Sequence, residues 1–208
     1  LQFRVYEAKG GSTLPEKIEF IQKPYLRVLG TRVGSQPEGD AGKKIEVTDL
    51  ADPVHENQNL QALAIEQVQF QKPLELKCLM AYGNNGDKVD VTDKVDATGQ
   101  LNWTIPAGDW TLYAVFEGLH GKMVERAGPG GEGNVIDHFS AAALKSYLQR
   151  FDDGFKGHDL SALRGFFNDS YEVDDARGAA DFTPALFEEF KKRRGYDLRN
   201  ELPALFGR

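Results

Sequence analysis

Hydrophobic and polar residues alternate in short runs through the first half of the chain. Such runs occupy residues 18–21, 25–29, 44–47, 74–80 and 110–116. Turn sequences separate them, and the clearest is Asn84-Asn85-Gly86-Asp87, where Asn and Gly tolerate positive φ. Alternation at every second position, interrupted by frequent turns, is typical of antiparallel strands with one face on a core. The pattern therefore predicts an antiparallel, β-sandwich-like region over residues 1–116.

A different spacing begins after residue 137. Ser140 is a suitable N-cap for a helix that Gly157 would end. Its apolar residues recur at three- and four-residue intervals, and they are Leu144, Tyr147, Leu148, Phe151 and Phe155. A second helix is predicted with Thr183 as N-cap, Pro184 at its first position and Gly195 as its stop. Its apolar face would consist of Leu186, Phe187 and Phe190.

Between these helices a short apolar run ends abruptly in polar residues. Leu163, Phe166 and Phe167 precede a cluster that holds Asn168, Asp169 and Glu172. Such a run suits a parallel strand buried on both faces, and ligands in α/β folds lie at the carboxyl ends of such strands. We therefore predict a buried strand over residues 163–168 that ends in a chemical site.

The carboxylates of this cluster suggest hydrolysis of a glycosidic bond. That reaction needs one carboxylic acid to protonate the leaving oxygen and a second carboxylate to activate water or attack the sugar. Tyr171 and Val173 flank Glu172 and would keep it partly desolvated, which raises the pKa of a carboxyl group. Glu172 is therefore the candidate acid, with Asn168 and Asp169 as sugar-binding or orienting groups. The alternative is that these carboxylates cap a helix or lie on the surface.

Residues 117–137 form a long Gly-rich stretch with scattered charges. Connections of this length are functional or flexible, so an interdomain linker is one interpretation. The stretch has neither the GxxxxGK[ST] nor the GxGxxG pattern of phosphate-binding loops. Its polar residues favour the wall of a pocket instead. The predicted ligand contacts here are His120, Glu125, Arg126, Glu132, Asp137 and His138.

Composition limits the other classes of function. The chain has 208 residues and a formal net charge of -7, and its one Lys/Arg run, 191–194, falls in the last turn of a predicted helix. Nucleic-acid binding is therefore not expected. The lone cysteine, Cys78, excludes an intrachain disulfide, and we interpret it as a small buried hydrophobe. No apolar segment has the length of a membrane span. The chain begins at Leu1 without Met, and we expect it to be an internal piece of a longer protein.

Four stretches together resemble the large bacterial glycoside hydrolases related to family 106, the α-L-rhamnosidases. They are WTIPAGDWTL at 103–112, HGKMVERAGPGGEGNVIDHFS at 120–140, FFNDSYEV at 166–173 and FEEFKKRRGYDL at 187–198. The resemblance extends from about residue 90 to residue 207. It implies a (β/α)8 barrel accompanied by β-sandwich domains. The predicted class is then α+β and multidomain: the β-rich region 1–116, the loop 117–137, and a helix-strand-helix part of a catalytic (β/α)8 (TIM) barrel over 138–208.

The resemblance also implies a reaction. Glu172 matches a catalytic carboxylate, the acid of an inverting enzyme that removes a terminal deoxysugar, and its partner carboxylate is expected after Arg208. Family 106 carries a calcium ion near the sugar, so calcium is the one cofactor that the resemblance implies. Residues 133–137 keep only the acidic end, Asp137, of the corresponding family stretch, and the sequence indicates no set of metal ligands. The expected partners are an oligosaccharide or polysaccharide substrate and the remainder of the parent polypeptide. The expected location is the periplasm, the cell surface or the medium of a bacterium.

Two alternatives to this reaction stay open. One is a retaining β-glycosidase on a similar barrel, whose carboxyl groups lie about 5 Å apart rather than about 6.5 to 9.5 Å. The other is a carbohydrate-binding or structural β-sandwich module in which the acidic cluster only caps a strand. The chain alone would also be inactive if an incomplete barrel cannot preorganise its site.

Overall fold

A computed structural model describes the backbone of residues 1–33, 36–38, 44–45, 63–68, 70–124, 133–167, 181–205 and 207. The described residues up to position 117 form ten strands: β1 (Gln2–Lys9), β2 (Ile21–Gln22), β3 (Tyr25–Val33), β4 (Gln36–Glu38), β5 (Lys44–Ile45), β6 (Leu63–Val68), β7 (Lys72–Pro73), β8 (Glu75–Gly83), β9 (Lys88–Asp90) and β10 (Asp109–Glu117). Three helices follow: α1 (Ala141–Phe155), α2 (Leu186–Arg194) and α3 (Leu202–Leu205).

The main sheet has four antiparallel strands in the order β1-β10-β8-β9. β1 pairs with β10 from Gln2 opposite Phe116 to Lys9 opposite Asp109. The predicted turn at residues 84–87 joins β8 to β9, and Gly86 has a φ of 90° there. A second sheet is centred on β3, which pairs with β4, β5 and β6, and β2 pairs with β7. The predicted antiparallel β-rich region is confirmed, whereas stacking of two sheets into a sandwich stays a prediction.

Both faces of the main sheet are covered because side chains alternate along β8 and β10. Leu79, Leu112 and Phe116 lie on one face, in the larger core, where the Phe20 ring lies 5.8 Å from that of Phe116. Connecting segments complete this core with Leu14, Ile18, Leu74, Leu101 and Ile105. Burial of such side chains is the main favourable term in folding.

The opposite face of the sheet is covered by the C-terminal segment. Its core joins Cys78, Met80, Tyr113 and Val115 of the sheet to Phe187 of α2 and Leu202 of α3. Tyr82 fastens this packing, since its hydroxyl accepts a hydrogen bond from the Leu202 N–H at 3.2 Å and donates one to the Arg199 carbonyl. The expected burial of Cys78 is confirmed, and burial raises the pKa of its thiol to about 12. Residues from both ends of the chain therefore share one core.

The helix boundaries agree only partly with the sequence predictions. Ser140 caps α1 as predicted, and its hydroxyl accepts from the Ala143 N–H at 3.2 Å. Gly195 ends α2 with a φ of 80°, also as predicted. The predicted start of α2 is wrong: the Thr183 carbonyl accepts from the Leu186 N–H in a turn, and Ala185 is the residue that precedes the helix. The turn before α2 satisfies a helix-terminal N–H without a capping side chain.

The predicted buried strand at residues 163–168 is wrong over its described part, 163–167. These residues form no strand, and Phe166 and Phe167 are 73% and 89% exposed. A parallel strand acquires its hydrogen bonds and both buried faces from neighbouring strands. Within the described residues no strand pairs with this segment. A portion of a (β/α)8 barrel is therefore not confirmed.

Helix α1 has an apolar face that the described part of the chain leaves exposed. None of its residues is buried, and Leu144, Tyr147, Leu148 and Phe151 are 41–50% exposed. Aromatic contacts continue the face from Tyr147 through Phe151 and Phe155 to Phe166. Contiguous exposed apolar patches of this kind promote association.

Replacing Leu148 with Glu tests this exposure. We expect the free energy of unfolding to change by no more than about 0.5 kcal/mol, because a substitution at an exposed position removes little burial. Self-association of the 208-residue chain, measured by sedimentation velocity, should decrease because the substitution interrupts the apolar face. Ser146→Glu, on the exposed polar side of the helix, is the matched control and should leave association unchanged. A large loss of stability in Leu148→Glu alone would show that the face is covered.

In the part of the chain that the structure describes, no helix has the length and apolarity needed to cross a membrane.

Candidate functional site

The predicted site residues divide into two sets. Glu125, Arg126, Glu132, Asn168, Asp169 and Glu172 lie outside the described residues. His120, Asp137 and His138 lie within them, and the structure brings these three together around the two ends of the Gly-rich loop. Their contact with a substrate stays a prediction, as do the roles of the first set.

A short antiparallel bridge closes the Gly-rich loop. Met123 pairs with Asn134, the Val124 N–H donates to the Gly133 carbonyl at 2.9 Å, and the Val135 N–H donates to the Lys122 carbonyl at 3.1 Å. The two ends of the segment 125–132 are therefore fixed next to each other. Only Gly133, with a φ of 148°, needs glycine's conformational freedom in this bridge. An interdomain linker would not have paired ends, so the bridge favours the pocket-wall interpretation.

Just before this bridge, the backbone of Leu119 is hydrogen-bonded to the buried side chain of Gln22. The Gln22 side chain is 5% exposed and donates to the Leu119 carbonyl at 2.7 Å, while its oxygen accepts from the Leu119 N–H at 3.4 Å. Gly118 lies against Leu74, where an added Cβ would approach the Leu74 Cδ1 to 2.8 Å. A buried amide that forms hydrogen bonds stabilises the fold, whereas a buried amide without hydrogen-bond partners destabilises it. Strand β2 thus fixes the backbone immediately before His120.

His120 is half-buried and has a defined tautomer. Its Nδ1 accepts a hydrogen bond from the Lys122 N–H at 2.9 Å, so the neutral ring carries its hydrogen on Nε2. Burial lowers the pKa of His120 below its usual value of 6.5, and the carboxylates of Asp181 and Asp137 oppose that shift. His120 is therefore mainly neutral at pH 7, with its ring hydrogen on Nε2.

Lys122 is a buried residue of this cluster that the sequence did not reveal. It is 2% exposed, and with Gln22 it makes up the buried polar side chains of the described part of the chain. An ammonium group is rarely buried without hydrogen bonds or an opposite charge, and buried lysines are often functional. The one feature of the sequence that could have pointed to Lys122 is its position between two predicted site residues, His120 and Glu125. Burial depends on tertiary packing, which the local pattern does not contain.

Asp137, His138 and Asp181 complete the described cluster. The Asp137 Oδ1 accepts from the Phe139 N–H at 2.9 Å, and its carbonyl accepts from the Ser140 N–H at 3.2 Å. This turn delivers the chain to the N-terminus of α1 and leaves Asp137 half-buried and His138 exposed. Asp181, on the segment that precedes α2, interacts electrostatically with His120. Asp181 was not predicted, because only the fold brings the chain back to this point.

The described residues do not fit a calcium site. Calcium takes six to eight oxygen ligands. Among the residues with described side chains, no group of three or more His, Cys, Asp or Glu could hold a metal ion. Asp137, the acidic end of the stretch that the resemblance pointed to, instead uses one carboxylate oxygen in the turn before α1.

The turn between His120 and Lys122 gives a direct test of the site geometry. Gly121 has a φ of 77°, so replacing it with Ala should cost about 1–2 kcal/mol through strain of the left-handed backbone. The expected result is a lower midpoint in urea unfolding. Gly165→Ala is the control, because no atom lies within 4 Å of the added Cβ and no left-handed φ is required. Equal stability of the two variants would contradict the left-handed turn.

Comparison with known proteins completes the description of this site. A protein of Formosa agariphila named "Putative beta-glucuronidase" is 31% identical over 123 residues, which cover 57% of this chain and 10% of that protein. The chain thus spans about a tenth of the length of this curated relative. No solved structure matches the chain. The family described as alpha-L-rhamnosidase matches residues 48–208, a segment that contains the Gly-rich loop, the cluster around Glu172 and the helices α1, α2 and α3. This match covers more than half of the sequence and confirms the resemblance, and the chain therefore belongs to glycoside hydrolase family 106.

Proposed function

We propose that this chain is part of a glycoside hydrolase that removes a terminal sugar, with α-L-rhamnose as the first candidate, from plant or host polysaccharides. The observation that carries this proposal is the family match over residues 48–208, because it includes both the polar loop and the cluster around Glu172. Membership of the family supports a glycosidase in general terms. The sugar, the mechanism and the roles of individual residues are proposed.

Glu172 is the proposed general acid. In the inverting mechanism it protonates the leaving oxygen, while a second carboxylate takes a proton from water that attacks the opposite face of the sugar ring. The two carboxyl groups would be separated by about 6.5 to 9.5 Å, which leaves room for that water. We propose that the second carboxylate lies outside residues 1–208. Asn168 and Asp169 would hold sugar hydroxyls or orient the acid.

The described residues of the loop would act in substrate binding. His120 would lie on the pocket wall, with its ring oriented by the hydrogen bond that its Nδ1 accepts from the Lys122 N–H. Asp137 and His138 would add an acceptor and a second polar group to the same wall. Glu125, Arg126 and Glu132 lie on the loop whose ends the bridge holds together, and we propose that they extend this wall.

A second candidate substrate is a β-linked glucuronic acid. One observation favours it, the name of the relative from Formosa agariphila. Such an enzyme would be the retaining alternative, with its carboxyl groups about 5 to 5.5 Å apart.

One experiment separates these candidates. The full-length protein is assayed on matched 4-nitrophenyl glycosides, including the α-L-rhamnoside and the β-D-glucuronide, and the anomer released first is identified by proton NMR. Hydrolysis of the rhamnoside with inversion supports the first candidate, and hydrolysis of the glucuronide with retention supports the second. Binding of oligosaccharides without hydrolysis of any substrate would instead support a carbohydrate-binding module.

The proposed substrates also bear on location. Polysaccharides are too large and too polar to cross a lipid bilayer, so we propose that the enzyme acts in the periplasm, at the cell surface or in the medium. Fractionation of a bacterium that produces the full-length protein, with activity measured in each fraction, tests this proposal. Activity confined to the cytoplasm would contradict it.

A further inference from the structure

We propose that His120 is a positioning residue: its neutral imidazole holds the backbone of the buried Lys122, and protonation of the ring releases that backbone and loosens the bridge between Met123 and Asn134. Any effect of this coupling on substrate binding rests on the proposed function above. The coupling itself rests on the hydrogen bonds of the described residues, and it can be measured without any substrate.

The backbone of Lys122 is held from both sides. Its N–H donates to the Nδ1 of His120 at 2.9 Å, and its carbonyl accepts from the Val135 N–H at 3.1 Å. The left-handed Gly121, with a φ of 77°, turns the chain so that the first of these bonds can form two residues along. Lys122 is 2% exposed, so little solvent is present to replace a lost partner. The turn at residues 120–122 and the bridge that closes the loop therefore share Lys122.

Protonation reverses the role of the anchoring nitrogen. Neutral imidazole has one acceptor nitrogen and one donor, whereas imidazolium has two donors and no acceptor. An Nδ1–H would face the Lys122 N–H, so the hydrogen bond would be replaced by repulsion between two donors. The backbone N–H of Lys122 would then be left without its acceptor inside the protein, which is unfavourable for a buried donor. The expected response is movement of Lys122 and of the adjoining end of the bridge.

The groups around His120 decide the pH at which this occurs. Asp181 and Asp137 favour the imidazolium, whereas His138 and the amino group of Leu1 disfavour it. Burial is the largest influence and also favours the neutral ring, so the pKa of His120 is lowered overall. A histidine whose pKa is lower in the folded than in the unfolded state makes its full contribution to stability above the unfolded pKa of about 6.5. This contribution is lost as the pH falls below that pKa. The site should thus be ordered at neutral pH and loosen in acid.

Two substitutions of His120 distinguish the role of its hydrogen-bond acceptor from the titration of its ring. Asn at position 120 places its Oδ1 near the position of Nδ1, so His120→Asn keeps an acceptor for the Lys122 N–H and does not titrate. Gln reaches towards the position of Nε2, so His120→Gln loses the anchor while it keeps a polar group deeper in the site. The Lys122 N–H should therefore keep its acceptor at every pH in His120→Asn, as in the neutral wild type, and should lack it at every pH in His120→Gln, as in the protonated wild type.

Nitrogen-15 NMR on the 208-residue chain tests the proposal directly. At pH 8 the His120 Nδ1 should have the shift of an unprotonated ring nitrogen. The protection factor of the Lys122 amide should fall at least tenfold as His120 titrates. His120→Asn should keep this protection in acid, and His120→Gln should lack it throughout. The Val91 amide, which donates to the Leu79 carbonyl at 2.9 Å in the core, reports whether each variant is folded and should stay protected.

An Nδ1 that carries hydrogen at pH 8, or Lys122 protection that does not follow the titration of His120, would overturn the proposal. Either result can be obtained from the wild type alone. In the full-length enzyme, the same coupling predicts that KM rises in acid for the wild type and not for His120→Asn, with kcat affected less than KM. Failure to find any substrate would count against the proposed function and leave the NMR result standing.

Discussion

Replacing Glu172 with Gln in the full-length protein is expected to lower kcat on a natural oligosaccharide by about 100- to 10,000-fold, the range in which general acids contribute to catalysis. Gln keeps the size and hydrogen-bonding reach of the side chain but has no proton to transfer to the leaving oxygen. KM should change much less, because the loss concerns an interaction made mainly in the transition state. Initial rates at saturating and subsaturating substrate provide both constants.

Asp174→Asn is the matched control for this substitution. It also converts a carboxylate into an amide, two residues along the same segment, at a position that we interpret from the sequence as a solvated charge. Its kcat should remain within a few-fold of the wild-type value. Equal losses in the two variants would indicate a general effect of charge in this segment and not a specific role for Glu172.

Replacing Leu202 with Ala should have the largest effect on stability. Leu202 is fully buried in the core that joins the C-terminal segment to the main sheet, and large-to-small substitutions at such positions cost about 2–5 kcal/mol. Urea unfolding of the 208-residue chain measures this loss. Leu205→Ala, in the same short helix α3 but 39% exposed, should cost much less.

The free thiol of Cys78 provides an independent measure of the same packing. Cys78 is fully buried in the core that contains Leu202, and burial raises its pKa to about 12. It should react slowly with a thiol reagent in the wild type, because both access and the thiolate fraction are low. Leu202→Ala should react faster under folding conditions, whereas Leu205→Ala should resemble the wild type. Fast labelling of the wild type would contradict the covered sheet face.

Features fixed by local chemistry were predictable from the sequence. Ser140 and Gly195 satisfy helix ends through groups within a few residues, and both act as predicted. The turn around Gly86 also follows from neighbouring residues, since its positive φ needs only glycine. Alternation along β8 and β10 correctly indicated strands, because one side chain in two must enter a core.

Features that depend on distant partners were not predictable in the same way. The apolar run at 163–167 has the composition of a buried strand, but composition cannot supply the neighbouring strands that a parallel strand requires. Phe187 and Leu202 pack against Cys78 and Tyr113 of the sheet, a long-range contact that the local sequence pattern does not contain. The same limit applies to the site, where burial of Lys122 and the approach of Asp181 to His120 arise from tertiary structure.

The most direct test of an acid role for Glu172 compares two leaving groups in one pair of enzymes. The ratio of kcat/KM between the wild type and Glu172→Gln is measured on a natural oligosaccharide and on the dinitrophenyl glycoside of the same sugar. Because dinitrophenolate departs without a proton, the ratio should be about 100 to 10,000 on the oligosaccharide and close to one on the activated glycoside. Near-parental turnover of the oligosaccharide by Glu172→Gln, or equal losses on both substrates, would contradict the assignment of Glu172 as the general acid.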